Sequence, residues 1–557
     1  MLKRVIIGVL LILLLVLLLG AGVAWLNRKE IILYLATETG KEENILPNQM
    51  IHWQPGPASP RQPAGERPPN IILILADDLG INDISAFGGG VAGGTVNTPN
   101  IDALAADGAQ FAQAYAGNAT CAPSRAMILT GRYPTRTGFE FTPTPPNMGR
   151  IVTMFANDRT KPHPVLYNKQ AAESALPYED QGLPGTEITL AEILKARDYH
   201  TVHIGKWHLG RGKEFGANAQ GFDESLLMAS GLYLPENDPR GVNAKVDFDP
   251  IDKFLWARMQ YAASYNEGEW FEPDGYLTDY YTNEAVKVIH ANRNRPFFLY
   301  LAHWGVHSPL QAAKEDYDAL SHIKDHRLRV YAAMVKALDR SVNRITQALK
   351  QEGLSENTLI VFTSDNGGAG YIGLPELNRP YRGWKMTLFE GGIRTPLFVK
   401  WPSHIARNTR ANDPVAHIDL LPTLAAAAGA TLPADLEIDG VNLLPYLSAS
   451  PPDQPPHDAV YWQSGYYRVV RAGDWKLQVS QRPDKAWLYD LATDPTEQHN
   501  LADTRPEILS ELRSLLDAHQ AGAREPLYPY TLEAPVLIDK TLADPATAND
   551  EYVYWPN

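Results

Sequence analysis

Residues 5–26 form an unbroken, mostly aliphatic run. At 1.5 Å per residue a helix of that length spans roughly 33 Å, enough for a bilayer core of about 30 Å. The run predicts an N-terminal membrane anchor within residues 1–29. A cleaved signal segment is the alternative, but Ala24-Trp25-Leu26-Asn27-Arg28 is a poor cleavage site. Lys3 and Arg4 precede the run and Arg28 and Lys29 follow it, so flanking charge does not orient it. Residues 30–69 read as a linker whose end, from Pro55 to Pro69, is too rich in proline for a helix.

From residue 70 the pattern changes to short apolar runs alternating with segments of helical period. Asn70-Ile-Ile-Leu-Ile-Leu75 is continuously apolar, as expected of a strand covered on both faces. Similar runs predict strands over 201–204, 297–302, 358–363 and 397–401, and helices are predicted over 99–107 and 189–197. Val330, Met334, Leu338, Val342, Ile345 and Leu349 recur at steps of three and four, the stripe of an amphipathic helix. The alternation predicts an α/β fold over 70–450, a large mostly parallel sheet sandwiched by helices. Short strands over 459–463, 467–472, 475–480 and 486–489, then a helix over 506–520, predict a smaller antiparallel sheet plus helix in 451–525. Residues 526–557 form a C-terminal extension. Residues 139–181, rich in proline and without clear period, read as an irregular insertion.

Composition narrows the picture. A chain of 557 residues exceeds the usual limit of one core, consistent with two domains. With 50 basic against 64 acidic residues, the net charge of −14 argues against nucleic acid as a partner. A single cysteine, Cys121, excludes an internal disulfide. An exported chain without disulfides fits a bacterial periplasm, so the expected location is membrane-anchored with the main domain in the periplasm or outside the cell, or secreted if the segment is cleaved.

Candidate chemistry collects just past four predicted strands: Asp77-Asp78, Lys206 with His208, His303 with His307, and Asp365-Asn366. In an open parallel sheet the ligand site lies outside the carboxyl ends of the strands, so parallel strands would bring all four together. Asp77, Asp78, Asp365 and Asn366 offer only oxygen, which suits Ca²⁺ (or Mg²⁺) rather than zinc. A cation, Lys206, Lys385 and Arg125 around one point would bind a doubly charged oxyanion such as a sulfate or phosphate ester. Taken alone, Cys121 can be a buried filler, a thiolate nucleophile or a residue that the cell modifies.

Cys121-Ala-Pro-Ser-Arg-Ala-Met-Ile-Leu-Thr-Gly-Arg132 resembles the active-site stretch of the formylglycine-dependent type I sulfatases of the alkaline phosphatase superfamily. Four further stretches resemble that family in its own order: Asn70 to Gly80, Gly205-Lys-Trp-His-Leu-Gly210, His303-Trp-Gly-Val-His-Ser-Pro309 and Arg382 to Arg394. Leu488-Tyr-Asp-Leu491 and Glu497-Gln-His-Asn-Leu501 are similar to its C-terminal turn. One departure is Asp198, before Tyr199, where a glycine is common.

The resemblance implies that Cys121 is oxidised to formylglycine by a formylglycine-generating or sulfatase-maturating enzyme. It further implies that one hydroxyl of the hydrated aldehyde attacks sulfur, and that the other lets the sulfate leave. Asp77, Asp78, Asp365, Asn366 and modified residue 121 would hold the metal. Arg125 would support the hydrated aldehyde, Lys206 would contact it or the sulfate, and Lys385 would bind the sulfate. His208 would be the base, and His307 would act on the leaving oxygen in preference to His303. The implied reaction is hydrolysis of sulfate monoesters, on sulfated carbohydrate, with aryl sulfates as artificial substrates. Competing readings are a phosphodiester or phosphonate monoester hydrolase on the same scaffold, a non-catalytic membrane-tethered carbohydrate-binding protein, and a thiolate hydrolase. Trp304 and Trp384 are candidate sugar platforms or core residues.

Overall fold

The computed structural model describes residues 2–557 except 39–40, 42–43, 61, 64–65, 146–147, 158–160, 213 and 230. Parts of the proline-rich stretch and of the insertion therefore lie outside the described residues. The elements that position the site are α1 (Leu2–Leu26), α2 (Arg28–Glu38), β1 (Asn70–Ala76), α3 (Cys121–Thr130), β2 (His200–Gly205), β3 (Glu224–Met228), β4 (Phe297–Ala302), α4 (His326–Gln351), β5 (Thr358–Ser364) and β6 (Leu397–Lys400).

The main sheet is mixed. Its centre runs β5-β1-β4-β2-β3 with every neighbour parallel. Antiparallel pairing begins at the flanks, where β6 joins β5 and Ala263–Tyr265 joins β3. Alternate residues of β1 feed the two faces. Ile72, Ile74 and Ala76 join the core under α4, while Ile71, Leu73 and Leu75 join the core under α3. Ile71 to Leu75 are fully buried, and each such side chain contributes about 1.5–3 kcal/mol relative to exposure. Burial on both faces explains why these strands read as unbroken apolar runs. The predicted stripe from Val330 to Leu349 lies within α4, and its six residues are buried.

The second sheet is a meander of β7 (Ala459–Ser464), β8 (Tyr467–Ala472), β9 (Trp475–Gln481) and β10 (Asp484–Asp490). One face packs Val470, Leu477 and Leu488 against Leu512 and Leu516 of α5 (Pro506–Gln520). The opposite face sends Trp462, Val469 and Trp487 into the main core. The chain then returns as β11 (Leu532–Leu537) and β12 (Tyr552–Pro556), an antiparallel pair.

The insertion is more regular than its composition predicts. It contains helices Met148–Ala156 and Lys169–Ser174 and a two-residue strand, Leu166–Tyr167, that pairs with β11. A strand that short carries no readable period, and its partner lies far along the chain. Asp198 follows the helix Leu190–Lys195 in the left-handed region, φ +63°, which accounts for glycine being common there.

None of the α1 span Arg4–Leu26 is buried, and it is long and apolar enough to cross a membrane. α2 packs Leu33 with Ile151, Phe254 and Leu255. Further on, Ile51 and Trp53 are buried, and the Trp53 indole donates to Glu284 at 2.8 Å. This stretch therefore runs along the domain surface, tied to it by apolar contacts that alternating polar and proline residues conceal in the sequence.

Candidate active site

The parallel register brings the predicted clusters to one edge. Leu75 is level with Ala302 and Thr363, and Ala302 with Gly205. Asp77, His303, Lys206 and Asp365 therefore leave the sheet almost side by side. Gly205 is required where it stands. Its φ is +109°, and a Cβ would lie 2.0 Å from the Ala302 carbonyl oxygen.

α3 starts at this edge. Thr120 is its extended N-cap and Gly131, at φ +66°, ends it. Cys121 is the first helical residue, so the positive end of the helix dipole faces the cluster. Arg125, four residues on, lies on the same face of the helix. Its guanidinium donates to Asp365 Oδ2 at 2.8 and 2.9 Å, to Asp77 Oδ2 at 3.0 Å and to the Lys206 carbonyl at 2.9 Å. Cys121 Sγ lies 3.5 Å from Asp77 Oδ1 and 3.9 Å from Asp78 Oδ1, and Lys385 Nζ approaches it to 3.3 Å. Lys206 Nζ is 2.6 Å from Asp77 Oδ2. Lys385 Nζ lies 2.7 and 2.8 Å from the two oxygens of Asp78 and 3.3 Å from His307 Nε2. Asn366 Nδ2 donates to Asp78 Oδ1 at 2.7 Å.

A family model for the sulfatases matches residues 69–430. The chain belongs to the sulfatase family. A second model, N-sulphoglucosamine sulphohydrolase, C-terminal, matches 382–521. Among curated relatives, mouse N-acetylgalactosamine-6-sulfatase is 33% identical over 422 residues, covering 74% of this chain and 72% of that protein. Human arylsulfatase A is 32% identical over 500 residues, covering 81% and 87%. The crystal structure of Ps i-CgsB in complex with k-i-k-neocarrahexaose superposes with a TM-score of 0.68 at 30% identity, covering 83% of this chain and 95% of that one. The protein is therefore a sulfuric ester hydrolase, of a family that uses formylglycine and a metal ion.

In this sulfatase burial alone would raise the Asp78 carboxyl, but Lys385, His307 and Lys206 outweigh it and hold it well below the usual carboxylate range. Lys385 is correspondingly raised by Asp78 and Cys121 against the effect of burial. The Cys121 thiol is pushed well up by burial, then by Asp365 and Asp77. It is protonated at neutral pH, which is the wrong state for thiolate attack. Burial drives His307 down to about 3, with Lys385 and Lys206 adding and Asp78 opposing. His208 falls well below its ordinary value through burial and then the charges of Lys206 and Arg125. Both imidazoles are thus neutral.

The donors present fit a hard cation. Ligand atoms of Asp77, Asp78, Cys121 and His307 lie within 4.8 Å of one another, and Asn366 Oδ1 is buried without a hydrogen-bond partner. An orphaned amide oxygen next to the Asp77 and Asp78 carboxylates suits an oxygen-ligated Ca²⁺ or Mg²⁺, while Asp365 lies outside that group with Oδ2 taken by Arg125.

The two histidines after β4 part ways. His303 Nε2 bonds Ser341 Oγ of α4 at 2.9 Å, and burial lowers the ring to about 3. His307 instead reaches Lys385 and stacks on Trp304 with ring centroids 4.1 Å apart. His208 faces the same charges without a hydrogen bond to Nδ1. Trp304 and Trp384 are both buried, which removes them as sugar platforms. Trp304 lies under Lys206 Nζ at 4.6 Å. Sequence reasoning missed Tyr371, whose hydroxyl donates to Asp78 Oδ2 at 2.7 Å and accepts from Lys385 at 3.1 Å. Nothing in Gly370-Tyr-Ile-Gly373 distinguishes it from an ordinary turn.

Proposed function

We propose that this sulfatase cleaves sulfate monoesters of a saccharide at a nucleophile made from Cys121. The observation that carries the reading is the place of Cys121: the first turn of α3, buried, between carboxylates and Lys385, with a thiol that stays protonated. Conversion to formylglycine by a maturating enzyme replaces this unreactive thiol. The hydrated aldehyde supplies one hydroxyl to attack sulfur and a second through which sulfate is released. Asp77, Asp78, Asp365 and Asn366, with an oxygen of residue 121, would hold the cation, for which the oxygen set favours Ca²⁺, with Mg²⁺ as the alternative. Such a cation offsets the charge of the sulfate.

The chain's own residues do the rest. Arg125 fixes the carboxylates of Asp77 and Asp365 and, through them, residue 121. Lys206 and Lys385 hold the sulfate oxygens. His307, held by Trp304 and neutral, turns Nε2 to Lys385, and the proton for the leaving oxygen comes from the Lys385 ammonium beside it. His208, neutral at the rim, accepts the proton that frees the sulfate. A saccharide substrate is inferred from the carbohydrate names of N-acetylgalactosamine-6-sulfatase and of the neocarrahexaose complex. α1 tethers the enzyme to a membrane, with the site in the periplasm or outside the cell.

The test is peptide mass spectrometry with turnover. The Cys121 peptide should be about 18 Da lighter than its thiol form, and an aryl sulfate should be hydrolysed. Preference for an aryl phosphate diester would replace this reading with the phosphoester one. An unmodified peptide without hydrolysis would leave a binding protein. A panel of defined sulfated saccharides then names the substrate.

A further inference from the structure

Lys385 is flanked by two side chains that point away from the site. Arg382 forms a two-toothed pair with Asp539, Nε to Oδ1 and Nη2 to Oδ2 both at 2.6 Å. It also reaches Glu551 Oε2 at 2.7 Å and the Glu497 carbonyl at 2.7 Å. The Trp384 indole donates to the Leu537 carbonyl at 2.8 Å and lies 3.1 Å from that of Lys540. Leu537, Asp539, Lys540 and Glu551 all lie beyond residue 521, where the second family model ends.

The same tail grips the neighbouring loop. Leu542 N donates to the Gly370 carbonyl at 3.3 Å, and Gly370 opens the turn Gly370–Ile372 that carries Tyr371. That turn presses on Trp384: a Cβ at Gly370 would lie 2.5 Å from the indole. The loop bearing Lys385 needs holding, because Met386 sits in the left-handed region at φ +69°. A non-glycine residue there is strained and persists only where its surroundings fix it.

We propose that the C-terminal tail, residues 537–551, is a positioning element that sets the Lys385 ammonium and the Tyr371 hydroxyl against Asp78, with Arg382–Asp539 as its main clamp. A lysine with four rotatable side-chain bonds is only as well placed as its backbone. A bidentate guanidinium–carboxylate pair is the contact best suited to fix that backbone. The inference rests on the reading that Lys385 holds the sulfate.

The test uses the full-length, matured enzyme with an aryl sulfate, and inorganic sulfate as competitive inhibitor. Asp539 is half-exposed and makes side-chain pairs with Arg382, so Asp539→Ala leaves the core intact. It should lower kcat/KM by about 10-fold and weaken sulfate inhibition in parallel, while Asp539→Asn, keeping one acceptor, falls between. Arg482→Ala is the control. It removes a half-exposed arginine from Glu533 of β11, Arg482 Nη1 to Oε1 at 3.2 Å, where the carboxylate keeps the Tyr466 hydroxyl, and should leave both readouts unchanged. Both Asp539 variants within about twofold of the parent, or an equal fall in Arg482→Ala, would overturn the proposal. Lys385→Ala separates the two levels. If it abolishes turnover while both Asp539 variants stay within about twofold of the parent, the tail inference alone fails; if it leaves turnover intact, the assignment of Lys385 fails and the tail inference with it.

Discussion

Two of the buried ionic clusters among the described residues are built to opposite ends. At the junction of the two sheets, Lys476 Nζ lies 2.9 Å from both Glu390 Oε1 and Glu497 Oε1. Glu390 Oε2 accepts from Arg394 at 2.7 Å and from Tyr115 at 2.8 Å, and Glu497 Oε2 accepts from the Glu390 amide at 2.6 Å. Every oxygen of the two carboxylates is used. At the strand ends, Asp77, Asp78 and Asp365 face Arg125, Lys206 and Lys385, yet Asn366 Oδ1 and His208 Nδ1 are left without partners. A cluster whose carboxylate oxygens are all met by protein groups, with Arg394 Nε as its orphan, docks one subdomain on another. An incomplete one keeps electrostatic demand in reserve for a cation and an anion, which is how a preorganised site stabilises developing charge.

The comparison can be broken most directly at Cys121. Cys121→Ser should lower turnover of an aryl sulfate by about 10³-fold or more, or trap a sulfated enzyme, with the melting temperature nearly unchanged. Normal turnover in that variant would refute the formylglycine assignment. Next is a matched pair of substitutions. Lys476→Met leaves two buried carboxylates short of a partner and should destabilise the fold by about 3–5 kcal/mol in denaturant titration. Lys385→Met should lower kcat/KM by about 10²–10³-fold while stability changes far less. Equal stability losses would show that both clusters are structural. Third, dialysis against a chelator should abolish activity and lower the melting temperature, and added Ca²⁺ should restore both. Retained activity after the metal is shown to be gone would remove the cation from the mechanism.

The smallest effect concerns Asp83, a buried carboxylate with no cationic partner among the described residues. Burial pushes it up to about 7, against the Tyr331 hydroxyl at 2.6 Å and the Gly80 amide at 3.0 Å. Its folded value lies above the unfolded value of about 3.9, so its contribution is complete below that pH and is lost as pH rises through about 7. Asp83→Asn keeps the acceptor and removes the charge. It should raise the melting temperature by a few degrees at pH 8 and by much less at pH 4.5, close to the unfolded value. A shift that is the same at both values would mean that Asp83 is ionised throughout.

Much of the architecture was legible because the strands from Asn70, Phe297 and Thr358 are buried on both faces and so lack polar interruptions. The candidate site was legible for a related reason: its residues follow those strands directly, and Arg125 follows Cys121 by one helical turn. Tyr371, the inward turn of Trp384 and the separate fates of His303 and His307 were not. Each depends on which neighbour a side chain meets, and those neighbours are 293, 153, 38 and 78 residues away along the chain. The insertion was misread as irregular because its strand, Leu166–Tyr167, exists only through pairing with β11.

By itself the sequence determined the parallel core, the strand-end chemistry and the membership carried by the stretch from Cys121 to Arg132, because these are written in local periods and short spacings. Only the tertiary structure decided that Cys121 sits protonated among carboxylates, that His307 rather than His303 reaches Lys385, and that a tail more than 150 residues downstream braces the Lys385 loop, with Arg382 and Asp539 157 residues apart. These are outcomes of burial and of through-space charge. Neither is a property of any segment until the parallel register has brought the segments together.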